Sequence, residues 1–278
     1  MNKFRIPTMF PIKIIFFFFI FISFVIAQQS QWQRGIGTAA GTDIEAIRMK
    51  ALNNARADAL SKAGITIKAG DARLVSESKN NFTDFYSKFA ESSTRGIILE
   101  EKIIREGELK KVKGTTYEIE IEIEAKVAIQ QGEPDPTFTV KCESSKQIVK
   151  ENEAFTLTVT STKAGYLTIF NVFQDSLSVV FPNSIDKKNS IEANKQFVFP
   201  PHKAYELAMA LPEGKTSSSE MFIAVVTVEN IPFPNPEQIT FVNGAVGLRS
   251  EQLNVYAQWL YKINLNKRSS DQIPMAVK

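Results

Sequence analysis

The chain has 278 residues, with 33 Lys or Arg against 30 Asp or Glu, one Cys and one His. Three of the basic residues, Lys3, Arg5 and Lys13, lie in the first 27 positions, which carry no acid, so the remainder balances at 30 against 30. That neutrality excludes the broad positive field of a general nucleic-acid binder, and the lone Cys142 excludes an intrachain disulfide.

Residues 1–27 read as a secretory signal peptide: a basic start, a Phe- and Ile-rich run from Ile14, and Val25-Ile26-Ala27 ahead of a cleavage point between Ala27 and Gln28. The apolar run is shorter than the roughly 20 residues of a membrane-spanning helix, so no stable span is expected after cleavage. No Cys follows the cleavage point, which predicts an exported, periplasmic or secreted protein without a lipid anchor.

Gly35 to Gly41 is expected to form a strand-to-helix turn. Thr42-Asp43-Ile44-Glu45 has capping-box spacing, with Thr42 as the cap. A helix should follow to about Ala63, its inner face set by Ile44, Ile47, Ala51, Ala55 and Ala59. Gly64 would end it before a strand over Ile65 to Ala69, and Phe82, Phe85, Tyr86 and Phe89 suggest a short helix. Gly96 to Leu109 and Thr116 to Gln130 predict two strands. In the second, Tyr117, Ile119, Ile121, Ile123 and Ala125 alternate with Glu118, Glu120, Glu122 and Glu124, giving one core face and one solvated face.

The Gly and two prolines of 131–136 break this pattern and are taken as the boundary between domains at 28–131 and 137–265. After it come short alternating runs at Phe138 to Cys142, Phe155 to Val159, Tyr166 to Phe173, Leu177 to Phe181, Phe197 to Phe199, Tyr205 to Leu211 and Met221 to Val228. That spacing predicts a β-sandwich. Residues 184–194 read as a mobile loop. A last helix should start near Ser250 with Leu253, Ala257, Leu260 and Ile263 on one stripe, and 266–278 as a disordered tail. The fold class is thus α+β: a small antiparallel sheet with helices, then a mostly antiparallel β-sandwich with a C-terminal helix.

No residue set specifies a reaction, a cofactor or a metal. The glycines of 35–41 miss dinucleotide-turn spacing by one residue and lack the Lys of a phosphate loop. Alternate Glu residues on one strand lie about 6.6 Å apart and make a poor cation cage, so pairing with neighbouring Lys or Arg is the favoured reading. His202 reads as a solvated loop residue and Cys142 as core. Asn81-Phe82-Thr83 is a glycosylation sequon whose use depends on the source.

Gly35-Ile36-Gly37, the Ala-rich helix and the strand Tyr117 to Val127 resemble the amino-terminal domain of the flagellar assembly protein FlgT and the related LPP lipoprotein family. That resemblance implies a small antiparallel sheet packed with helices. The run Gly165 to Val172, then Phe181-Pro182-Asn183, Leu211-Pro212-Glu213-Gly214 and Phe222 to Val225, resembles a bacterial domain-of-unknown-function family, number 4384. It implies an accessory binding module and supplies no catalytic residues.

Together these readings predict an exported bacterial envelope protein, not an enzyme, that binds envelope proteins or a cell-wall polymer and serves envelope or flagellar assembly. The alternatives are a secreted hydrolase built on carboxylates and a small-ligand carrier. The identity of the partner and the oligomeric state are not encoded in any motif.

Overall fold

The structure is a computed structural model and describes residues 30–65, 96–173, 176–211, 213–234, 240–242, 245–247 and 253–278. The leader with its cleavage point, the strand expected after Ile65, the aromatic helix of 81–93 and the sequon lie outside these residues. The chain builds an α+β fold: a small antiparallel sheet with one long helix, then sheets carrying a second helix near the C-terminus.

The first sheet is ordered β1 (Ser30–Gly41), β4 (Thr116–Ile129), β2 (Gly96–Glu106), with β3 (Lys110–Lys113) also on β4. β2 and β3 pair with the same edge of β4, so they form one interrupted arm of a long hairpin that turns at Gly114. Ile119, Ile121, Ile123, Ala125 and Val127 of β4 are buried, as the alternation predicts. The opposite face carries the Glu ladder. Glu122 pairs with Arg34 and Arg105, Glu120 with Arg105 at 2.5 Å, and Lys126 with Glu100 at 2.8 Å. Glu120 and Glu122 are therefore matched by arginines on the neighbouring strands.

Gly35, Gly37 and Gly41 do not make a turn; they lie inside the 12-residue strand β1. The reason is the helix α1 (Ile44–Lys62) packed upon it. A Cβ on Gly35 would stand 2.0 Å from the Ala55 carbonyl oxygen, and one on Gly37 would stand 2.0 Å from that of Ala51. The helix backbone occupies the space a side chain would need, and Ala51, Ala55 and Ala59 supply the matching small face. The helix cap also differs from expectation. Asp43, one residue past Thr42, accepts from the Ala46 N–H at 3.2 Å, because β1 continues to Gly41.

α1 also covers the free edge of β1. Asn54 donates to the Thr38 carbonyl at 2.8 Å, Asp58 accepts from the Ile36 N–H at 2.8 Å, and Lys62 donates to the Arg34 carbonyl at 3.0 Å. Four helical residues rise about 6 Å and two strand residues about 6.6 Å, so i, i+4, i+8 on the helix meets every second residue of the antiparallel strand.

The second sheet is ordered β10 (Ser190–Ile191), β8 (Gly165–Phe173), β12 (Ser218–Thr227), β15 (Arg268–Val277), β6 (Ile148–Val149), with β9 (Ser176–Phe181) on β8. The third sheet is β11 (Phe197–Phe199), β7 (Leu157–Ser161), β5 (Val140–Ser144), and β13 (Thr240–Val242) pairs with β14 (Ala245–Gly247). Among the described residues every strand pairing is antiparallel except β15 with β6. Leu167, Ile169, Phe222, Ala224 and Val226 face Leu157 and Val159 across the sandwich.

The tail at 266–278 is not disordered. Leu265–Lys267 is a 3-10 turn, and β15 sits in the interior of the second sheet, paired over ten residues with β12. Ser269, Ser270, Asp271 and Gln272 have no apolar alternation, but their backbone completes the ladder. The Asp271 carboxylate also accepts from the Cys142 N–H at 2.6 Å, tying β15 to β5.

The other face of the second sheet is covered by α2 (Leu253–Tyr261). Phe170 lies 5.0, 5.1 and 5.6 Å from the rings of Tyr256, Phe233 and Trp259. The same apolar cluster continues into Ile97, Ile98 and Leu99 of β2 and Leu60 of α1, so one core crosses from the first sheet into the second. The 131–136 break is tied down as well. Leu265 N–H donates to the Gln131 carbonyl at 2.9 Å, and Arg268 donates to the Gln130 side chain.

Candidate functional site

The two loops that meet beside the third sheet hold a cluster of polar side chains not required by any strand ladder. The first loop follows β9 at Phe181-Pro182-Asn183. Asn183 explains the motif: its Oδ1 accepts from the N–H groups of Ile185 at 2.9 Å and Asp186 at 2.8 Å. Its amide nitrogen donates to the Val180 carbonyl and the Tyr205 hydroxyl, each at 3.0 Å. One side chain thereby fixes the turn and reaches the neighbouring loop.

That second loop is an excursion from a strand. Phe199 pairs with Leu157 in the β11 to β7 ladder, and Leu207 bridges Phe155 two residues further along. The chain therefore spends residues 200–206 outside the sheet. Tyr205 to Leu211 is accordingly not the strand its sequence predicts; it contributes a single bridge. Residues 184–194 depart from the expected loop too, since they contain β10, and Asn189 bonds Leu167 in both directions at 2.8 and 3.1 Å.

Asp186 clamps the two loops. One oxygen accepts from the Tyr205 hydroxyl at 2.6 Å and the other lies 2.8 Å from His202 Nε2. His202 Nδ1 accepts from the Ala204 N–H at 3.2 Å, which assigns the ring proton to Nε2. Both imidazole nitrogens are thus engaged, leaving neither to take a proton from a nucleophile. Burial, reinforced by the bond to Asp186, pushes the Tyr205 phenol above its ordinary range. The His202 and Tyr205 rings meet edge-on at 5.7 Å, and Phe199 and Phe181 continue the aromatic chain into the core.

Between this loop and the segment 145–156 lies an open groove of about 560 Å³. Its walls include Phe155, Pro200, Pro201 and Tyr205, with Lys203 and Glu206 as charged groups. Sequence reasoning flagged His202 and the Phe-Pro-Asn turn separately. Asp186 and Tyr205 escaped it, because their roles depend on contacts 16 to 22 residues away in the chain.

Cys142 is buried in β5, as expected. Burial, with the negative charges of Asp271 and Glu143, pushes its thiol up to about 12. Among the described residues no group of three His, Cys, Asp or Glu side chains is placed to hold a metal ion, and no helix is long and apolar enough to cross a membrane.

Residues 148–229 match a known family. Its description is domain of unknown function (DUF4384). The DUF4384 segment contains Asn183, Asp186, His202 and Tyr205, so both loops of the clamp belong to it. No curated protein matches the chain, and no match supports the FlgT- or LPP-like reading of the first half.

Proposed function

We propose that this protein is an exported bacterial envelope protein that works as a non-enzymatic binding module, with the groove beside the His202–Asp186–Tyr205 clamp as its contact surface. The clamp carries the proposal. Its polar atoms are spent on each other, so it presents preset ring faces and the flanking Lys203 and Glu206, in keeping with loops that carry binding on a rigid scaffold. Export rests on the leader of 1–27. A flagellar or other envelope-assembly setting enters only through the residue-pattern resemblance of the first half to FlgT and LPP domains.

The test is crosslinking in intact source cells followed by recovery of tagged protein, wild type beside Lys203→Glu. A reproducible set of envelope proteins or wall fragments that shrinks in the variant supports the reading. Recovery of the protein alone counts against it, as does peptidoglycan turnover abolished by one carboxylate substitution.

A small-ligand carrier is the second reading, because the groove volume falls in the range of about 300–1,000 Å³ typical of ligand pockets. Thermal stabilisation of the wild type, but not of Lys203→Glu, by low-molecular-weight culture extract would favour it.

A further inference from the structure

The hairpin tip of the first sheet is basic within a stretch, residues 28–278, that as a whole balances 30 bases against 30 acids. Residues 108–115, sequence Glu-Leu-Lys-Lys-Val-Lys-Gly-Thr, are all exposed. Three lysines, Lys110, Lys111 and Lys113, share this tip with a single acid, Glu108. Further back on the sheet Arg105 pairs with Glu120 and Lys126 with Glu100. Among the described residues the three tip lysines form no ion pair, although Lys110 lies in register with Glu118.

The tip also exposes two aliphatic side chains, Leu109 at 41 % and Val112 at 57 %. Neither position follows from sheet pairing alone. Val112 is the extra residue at a register shift between Lys111 and Lys113, and Leu109 lies between β2 and β3 where the arm leaves the ladder. Ile103 and Ile104, further back on β2, are half-exposed as well. Lysines without ion pairs interspersed with solvated aliphatics match a surface that is negative outside and apolar just beneath. Lysine stems can lie along that apolar layer while their ammonium groups stay among the headgroups.

We propose that the 108–115 tip docks the protein peripherally on an anionic phospholipid surface, with Lys110, Lys111 and Lys113 meeting headgroup phosphates and Leu109 and Val112 entering the acyl boundary. The aliphatic pair favours a bilayer over an acidic protein, which would need only the lysines. This docking is independent of the groove and of whatever the groove binds.

Vesicle flotation with the chain starting at Gln28 tests it, since the Phe-rich leader would otherwise insert by itself. Vesicles of phosphatidylglycerol and phosphatidylethanolamine are compared with pure phosphatidylcholine. Wild type should float with the anionic vesicles alone, and less as salt rises. Lys110→Gln/Lys111→Gln/Lys113→Gln should weaken binding by on the order of a hundredfold, and Leu109→Ser/Val112→Ser should weaken it also. Both variants should keep the wild-type melting midpoint, because every altered side chain is exposed. Absence of wild-type flotation, or equal flotation of the lysine variant, overturns the proposal. It is equally overturned in favour of an acidic protein partner if Leu109→Ser/Val112→Ser floats like wild type and both bind soluble polyglutamate equally.

Discussion

Replacing Gly37 by Ala sets two rules against each other. On strand propensity alone the change should help by roughly 0.5–1 kcal/mol, because glycine loses more backbone freedom on folding. The packing of α1 reverses the sign. The new Cβ would meet the Ala51 carbonyl oxygen at 2.0 Å and the Ala55 nitrogen at 2.3 Å, both backbone atoms that no rotamer change can move. Ordinary contact starts at 3.4 Å, so the helix must retreat by about 1.4 Å. A gap of that size forfeits about half or more of the dispersion energy along the alanine face. It also stretches the bonds from Asn54, Asp58 and Lys62 to β1, each contributing about 1 kcal/mol. We expect Gly37→Ala to destabilise the protein by about 3–5 kcal/mol, measured by urea unfolding beside Thr38→Ala, whose exposed side chain should matter by less than about 0.5 kcal/mol. A Gly37→Ala protein as stable as wild type would refute the close-approach argument.

Three further outcomes follow from buried polar groups. Arg56 is buried and paired with Glu101 through two hydrogen bonds, at 2.8 and 2.5 Å, so Glu101→Ala should cost about 3 kcal/mol in denaturant unfolding by taking the carboxylate from a buried guanidinium that keeps only its other contacts, Asn53 at 2.8 Å among them. Cys142 should resist alkylation in the native protein at pH 8 and react fully in denaturant, since burial holds its thiol near 12. Burial raises the pKa of Glu220 despite the 2.6 Å bond from Asn171. Its contribution is therefore fully present below the unfolded carboxylate value and is lost as pH rises through the raised folded value. Glu220→Gln should gain thermal stability relative to wild type between pH 4 and pH 7 melts, and an unchanged difference across that interval would contradict the burial argument.

Local pattern carried the elements whose environment is set by their own residues. β4 is legible because its apolar residues alternate with period two, and Glu120 and Glu122 do find arginines on adjacent strands, although Glu122 is itself buried. The alanines and Ile47 of α1 likewise announced a helix. What escaped depended on distant partners. Gly35 and Gly37 looked like turn residues until the helix lying on them was in place. β15 looked disordered because its register with β12 spans about fifty residues of chain and its middle is polar. The clamp is half legible in the sequence: His202 and Phe181-Pro182-Asn183 stand out singly, whereas the local pattern puts Tyr205 in a strand and Asp186 in a mobile loop. A carboxylate between two polar turns acquires meaning only when both turns face it.

The place of β15 bears on when the protein can fold. Residues 268–277 lie between β12 and β6, and Arg268, Leu265 and Asp271 also secure the 130–132 connection and β5. The second sheet cannot close until that stretch has been synthesised, however early its other strands emerge. Pairings this remote in sequence form slowly. That sheet stays open through nearly the whole of translation, and any ribosomal product truncated ahead of Arg268 leaves the edges of β12 and β6 exposed to proteases.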